Sequence, residues 1–229
     1  MAHLVLLPGL NNTSAVFGAV AQALPADIQP HCPDLPALTT VELLAKQVLR
    51  DAPATFWLGG FSFGGYVAMA VLALAPERVQ GIALICSSPL ADTPEQRARR
   101  LDAIHLAEQG GHEASASAAT LPFHPDSLNN PELIALRREI VYAYGAQRYI
   151  AHCHACMARP DRSALLDGRR PTLLVSASHD VVVPVAGVRA VADRVPGSQF
   201  ELIDGAGHLL PLEQPQALAE VLTGWIRRG

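Results

Sequence analysis

Three short stretches of this chain carry the residue types needed for nucleophilic acyl chemistry. Ser62 lies in Leu58-Gly-Gly-Phe-Ser-Phe-Gly-Gly65, Asp180 in Ser178-His-Asp-Val-Val-Val-Pro184, and His208 in Asp204-Gly-Ala-Gly-His208. A serine hydroxyl is a poor nucleophile at neutral pH, so it needs a base, and the base needs a group that orients it. Ser62 is therefore expected to attack an acyl carbon and His208 to take its proton. Asp180 is expected to hold and stabilise the imidazolium. Asp204 competes for the carboxylate role through its closeness to His208, but is expected to shape the Gly205-to-Gly207 turn. His179 is read as a bystander. The developing oxyanion needs donors. The expected ones are the backbone N–H of Phe63, directly after the nucleophile, and that of Leu10, after Pro8-Gly9.

These residues work only if the fold gathers them. The apolar run Thr55-Phe-Trp before the serine motif reads as a strand. The run from Tyr66 to Ala75, stopped by Pro76, reads as a helix. Ser62 then sits on a sharp strand-to-helix turn, where strained backbone leaves no room for neighbouring side chains. Gly60 and Gly64 remove them, and Gly65 lets the helix lie close to its neighbours. The helix N-terminus favours developing negative charge. Residues 3–7, 28–32, 79–86, 172–176 and 199–203 supply further strand patterns, mostly short apolar runs suited to burial on both sheet faces. Helical patterns at about 13–24, 41–50, 185–194 and 215–227 alternate with them. The alternation predicts an α/β fold: a parallel sheet with right-handed crossovers and helices on both faces. In such a sheet, strands share one direction, so the ends before Ser62, Asp180 and His208 meet on one edge.

Residues 90–170 break the pattern. Helical stretches at 94–109, 131–144 and 147–158 appear without strands, and Ala114-Ser-Ala-Ser-Ala-Ala119 reads as a helix end or a mobile loop. The expectation is a core of residues 1–89 and 171–229 with a helical lid over the site at 90–170. Leu106, Leu121, Phe123, Ile140, Tyr144 and Ile150 are the apolar candidates for the acyl pocket, beside Phe63; packing among lid helices is the alternative role for each. His152-Cys153-His154-x-Cys156 falls inside a helical pattern that points adjacent residues apart. It shows no complete set of four ligands. No metal and no cofactor are expected.

Half of the 229 residues are apolar and the formal net charge is −4, so a sizeable core is available and nucleic acid or anionic membrane is not an expected partner. Four scattered cysteines make no disulfide framework. The N-terminal run lacks a basic start and ends at Pro8-Gly9. No stretch approaches the roughly 20 apolar residues of a membrane span. A cytoplasmic protein is expected, monomeric or a small homo-oligomer, acting on a small-molecule ester.

The chain resembles the α/β-hydrolase superfamily over nearly its whole length. Pro8-Gly9-Leu10 stands where many members have a His-Gly-x oxyanion segment, and Gly60-Phe-Ser62-Phe-Gly64-Gly65 is similar to the family's serine turn. Ala75-Pro-Glu-Arg-Val79, His179-Asp180 with Val183-Pro184, and Gly207-His208-Leu209 with Glu213-x-Pro215 resemble further recurring stretches. The likeness is greatest to the small carboxylesterase group that includes pimeloyl-carrier-protein methyl esterases and enol-lactone hydrolases. Two departures stand out. The sequence opens directly on the strand before the oxyanion loop, so about six strands are expected instead of eight. Pro8 also replaces the common histidine. The resemblance implies a serine hydrolase of carboxylesterase type. Lactones, thioesters, amides and carbon–carbon bonds are alternative substrates for the same triad. A non-catalytic small-molecule sensor is argued against by an intact triad. A helper docked on a carrier protein would favour a basic lid, yet Asp92, Glu95 and Asp102 surround Arg97, Arg99 and Arg100.

Overall fold

The computed structural model describes residues 1–229. Six strands form one sheet: β1 (Ala2–Leu7), β2 (Ile28–His31), β3 (Phe56–Phe61), β4 (Val79–Ile85), β5 (Thr172–Ala177) and β6 (Gln199–Ile203). Their order is β2-β1-β3-β4-β5-β6, and every neighbouring pair is parallel. The chain winds outward from β1 to β2, then returns to build the other half from β3 onward. The topological switch thus falls between β1 and β3. The loop after β1 and the serine turn after β3 emerge side by side there, where open α/β sheets bind ligands.

Side-chain alternation along β3 shows how the sheet is held. Phe56 and Leu58 join one buried cluster; Trp57 and Phe61 join the other. Helices α2 (Val41–Asp51), α3 (Phe63–Leu74) and α8 (Val185–Ala192) supply Leu44, Val67 and Val188 to the first cluster. Helices α1 (Gly18–Ala23) and α10 (Pro215–Arg228) supply Val20, Leu218 and Trp225 to the second. Trp225 meets Trp57 edge to face at 4.7 Å and is fully buried. Truncating such a side chain costs about 3–5 kcal/mol. Thr40 caps α2 as its position suggests, its hydroxyl accepting from Leu43 N.

The region before α1 departs from the expected single helix. A short 3-10 turn (Ser14–Phe17) precedes α1, and neither Thr13 nor Ser14 caps it through its side chain. Between β4 and β5 lie α4 (Pro94–Glu108), α5 (His112–Ala118), α6 (Pro131–Tyr144) and α7 (Ala146–Ala158). The Ala/Ser-rich stretch is mostly helical, as α5; alanine's high helix propensity offsets the serines there. Thr93 and Gln96 form a capping box at α4, and the Asn130 side chain accepts from Glu132 N and Leu133 N to start α6. The buried Asp92 carboxylate binds Arg100 Nε at 2.6 Å and Arg159 Nη1 at 2.6 Å, joining the start of α4 to the end of α7. Ala155 and Cys156 of α7 reach the first core cluster, so the insertion packs on the sheet's helices. Before the last helix, α9 (Leu210–Glu213) adds a single turn that no sequence signal announced. No helix is long and apolar enough to cross a membrane.

Candidate active site

Ser62 occupies the one-residue corner between β3 and α3, with φ 50° and ψ −116°. Backbone of this kind costs a non-glycine residue about 1–3 kcal/mol and persists only where surroundings over-determine it. Here Ser62 N donates to Ile85 O at 2.9 Å, Gly65 N donates to Ser62 O at 2.9 Å, and Ser87 Oγ donates to Ser62 O at 2.7 Å. A Cβ at Gly64 would lie 2.0 Å from Leu7 O, and one at Gly60 would lie 2.5 Å from Gly64 O. The glycines are therefore dictated by backbone-to-backbone contact. Ser87, just past the strand pattern at 79–86, also braces the corner.

His208 sits in the loop after β6, with Nε2 3.0 Å from Ser62 Oγ and Nδ1 2.8 Å from Asp180 Oδ2. Asp180 is buried, and its other oxygen accepts from Val182 N and Val183 N, both at 2.8 Å. With an ionised Asp180, Nδ1–H donates to the carboxylate, which leaves Nε2 free to accept the serine proton. Asp204 is exposed; the nearby Ser178 hydroxyl and Gly205 N–H hold its carboxyl below the ordinary range, and the His208 ring bonds Asp180 instead. His179 faces Ser178 Oγ and His124 instead.

The loop after β1 completes the corner. Neither Leu10 N nor Phe63 N donates to a backbone acceptor. Phe63 is the first residue of α3, where N–H groups lack intrahelical partners. Buried Asn12 shapes the loop: its N donates to Gly9 O at 3.1 Å and its Nδ2 to Leu10 O at 2.8 Å. From α6, Arg137 Nη1 reaches down to Asn11 O at 2.6 Å and Asn12 Oδ1 at 3.0 Å.

A serine corner, an imidazole and a buried carboxylate on three parallel strand ends coincide with a family match. The model for the alpha/beta hydrolase family matches residues 4–221. The chain belongs to that family. Among relatives, it is 30% identical to a pimeloyl-[acyl-carrier protein] methyl ester esterase of Xanthomonas campestris pv. campestris, covering 96% of this chain and 92% of that one. Among solved structures, it resembles a thermophilic esterase from Thermogutta terrifontis with TM-score 0.90 and 25% identity, over 100% of this chain and 90% of the other. It also superposes on an enol-lactonase from Burkholderia xenovorans LB400 with TM-score 0.85 and 22% identity, over 99% and 92% of the two chains.

In this alpha/beta hydrolase the serine opens into a cavity of ≈ 360 Å³. That is within the range of small-molecule sites. Leu10, Phe63, Val182, Val183 and Leu209 give it an apolar floor, whereas the helical insertion contributes Gln96, Arg99, Arg100, Arg137 and Tyr149 beside Ala103, Pro122 and Cys156. A larger surface groove lined by Leu38, Lys46, Arg50 and Leu74 contains no serine, cysteine or histidine.

Of the apolar residues expected to line an acyl pocket, Phe63 does so. The others lie elsewhere. Leu106 and Leu121 are 44% and 72% exposed, and Phe123 is packed into the core cluster beneath the His208 loop. Ile140 and Tyr144 are buried away from the cavity, and Ile150 is half-buried outside it. Ile140 and Tyr144 are buried among the insertion's own helices, and Phe123 joins the insertion to the core. The face of α4 turned to the cavity carries Gln96, Arg99, Arg100 and Ala103, spaced at helical periodicity, three of the four polar. The segment that Phe123 belongs to still bears on the site. Leu209 N donates to Pro122 O at 3.2 Å, and the Glu213 carboxylate accepts from both His124 N and Gly207 N. A Cβ at Gly207 would lie 2.6 Å from His124 N, so the insertion presses directly on the His208 loop.

The His152–Cys156 stretch is structural in its contacts. The His152 ring stacks on Phe63 at 4.6 Å, its Nε2–H donates to Pro36 O at 2.8 Å, and its Nδ1 accepts from the Tyr144 hydroxyl. Burial lowers its pKa to about 4, so it is neutral at pH 7. Burial pushes the Cys156 thiol up to about 12. Cys86, Asp180 and His208 are the one group whose donor atoms lie within 4.8 Å of one another. Burial, then Asp180, pushes the Cys86 thiol far above its usual range, and both Asp180 oxygens are already engaged. That donor set suits a proton relay better than a metal, which requires a thiolate and free carboxylate oxygens.

Proposed function

We propose that this alpha/beta hydrolase is a serine carboxylesterase that cleaves a small carboxylic ester through an acyl-enzyme. The observation that carries the reading is the unbroken path from Asp180 Oδ2 through His208 to Ser62 Oγ, opening into a cavity. Ser62 Oγ attacks the ester carbon while His208 Nε2 accepts its proton. The tetrahedral oxyanion is received by the N–H groups of Leu10 and Phe63, both free of backbone acceptors. His208 then gives the proton to the leaving alcohol. Water attacks the acyl-enzyme, with His208 again as base, and Ser62 is released. The relatives' names support an ester as substrate, and residues 90–170 act as the lid that shapes its acyl pocket.

A fluorophosphonate probe tests this. It is expected to label the wild type at Ser62 and to fail on Ser62→Ala. Labelling of the alanine variant at the wild-type rate would overturn the assignment. Hydrolysis of a panel of methyl and p-nitrophenyl esters, beside lactones and amides, then separates the ester reading from the other bonds open to the same triad.

A further inference from the structure

The cavity's charge is one-sided. Three arginines line it, Arg99, Arg100 and Arg137, and no aspartate or glutamate does. Their situations differ. Arg100 is neutralised by Asp92, which Arg159 shares. Arg99 is exposed to solvent. Arg137 is 6% exposed and pairs with no carboxylate. Only its Nη1 is engaged, by Asn11 O and Asn12 Oδ1; Nε and Nη2 have no acceptor in the protein. A buried guanidinium without a counter-charge is costly, and removing that cost is what an anionic ligand does. The Nε–Nη2 edge is a two-donor fork, which matches the two oxygens of a carboxylate.

We infer that the acyl part of the substrate ends in a carboxylate received by Arg137, so that the enzyme acts on half-esters of short dicarboxylic acids. The inference rests on the esterase reading for the reacting end and on Arg137 for the other. The apolar stretch of Phe63, Val182, Val183 and Leu209 would face the methylenes between the two ends. A carboxylate fits better than a phosphate because one uncompensated buried guanidinium offers one fork. Arg137 also holds the oxyanion loop, so its loss is expected to lower all turnover. Selectivity, not rate, is therefore the informative quantity.

The experiment compares kcat/KM on monomethyl esters of succinic, glutaric and adipic acid with that on the matching terminal amides, which are neutral and of nearly the same shape. The wild type is expected to prefer at least one half-ester over its amide by about 10- to 100-fold. Arg137→Gln is expected to bring that ratio close to one. A wild-type ratio near one, with the amides well hydrolysed, would overturn the inference and leave the esterase reading intact. Equal losses on both substrates in Arg137→Gln, with the ratio retained, would reassign Arg137 to loop support alone. Should no ester be cleaved and no probe bind, the esterase reading fails by itself. Calorimetric titration of Ser62→Ala with glutarate then still tests the anion site. Binding lost in Ser62→Ala/Arg137→Gln supports it, and no binding overturns it. Inorganic phosphate binding more tightly than glutarate would overturn the carboxylate assignment.

Discussion

Asp180 divides its two oxygens between His208 and the loop that follows it. An asparagine there keeps one acceptor oxygen, which the Val182 and Val183 N–H groups claim. Its amide N–H₂ then faces Nδ1 and favours the tautomer with the proton on Nε2, where the serine proton has to go. Asp180→Asn is expected to keep the fold and lower kcat by roughly 10³ to 10⁴. Asp204→Asn, on an exposed carboxylate, is expected to stay within a few-fold. Steady-state kinetics on an activated acetate compares them; a larger loss in Asp204→Asn would reverse the assignment. The meeting of Ser62, Asp180 and His208 was legible in the sequence because each closes a strand pattern with a glycine or turn signal. Ser87 and Arg137 were not. Nothing local to Ser87 reveals that its hydroxyl braces Ser62 from 25 residues away. Arg137 reads as one charge on an amphipathic helix until α6 is placed over the β1 loop.

Helix α7 shows how an element records its burial in a titration. His152 lies between Phe63, Tyr144 and Pro36, and its folded pKa of about 4 is below the 6.5 of an ordinary histidine. Because burial depresses the folded value, the stabilisation is complete above pH 6.5. It is lost as pH falls toward 4, where the unfolded chain binds a proton that the folded chain refuses. At about 1.4 kcal/mol per pH unit, acidification from pH 7 to 4 is expected to cost on the order of 3 kcal/mol through this residue. Urea midpoints across that range measure it. His152→Gln is expected to start lower but to show a shallower slope, and an unchanged slope would place the titration elsewhere. Asp92 acts at lower pH. Burial raises its pKa, but Arg100 and Arg159 outweigh that and hold it below 3.8, so its contribution begins to fall only near that value. The caps and Pro stops made α4, α6 and α7 legible to within a residue or two. Which face of each helix meets the cavity was not, because apolar periodicity marks the packed face, whereas α4 turns Gln96, Arg99 and Arg100 to the cavity.

At the scale of the molecule, the sheet and the insertion divide the work. Ser62, His208 and Asp180 stand at strand ends packed from both sides, whereas the far cavity wall comes from α4, α6 and α7. The two parts meet through a few specific ties. These are the stack of His152 on Phe63, the grip of Glu213 on Gly207 and His124, and the hydrogen bonds of Arg137 to Asn11 and Asn12. A wall tied to the core at these points is expected to hold its shape, so changes in its side chains should alter which acyl group fits before they alter the chemistry. Tyr149 lines the cavity and is half-buried, while Leu121 belongs to the same insertion but points 72% of its surface to solvent. Tyr149→Ala is expected to shift the profile of kcat/KM against acyl length, with about 1–3 kcal/mol of altered discrimination between the best and neighbouring substrates. The rate on acetate should change much less. Leu121→Ala is expected to leave the whole profile in place. Profiles that stay parallel in Tyr149→Ala, displaced by one common factor, would mean that the insertion supports the His208 loop without selecting the substrate. A shift produced by Leu121→Ala would mean that the insertion reorganises around the ligand, bringing an exposed leucine into the pocket.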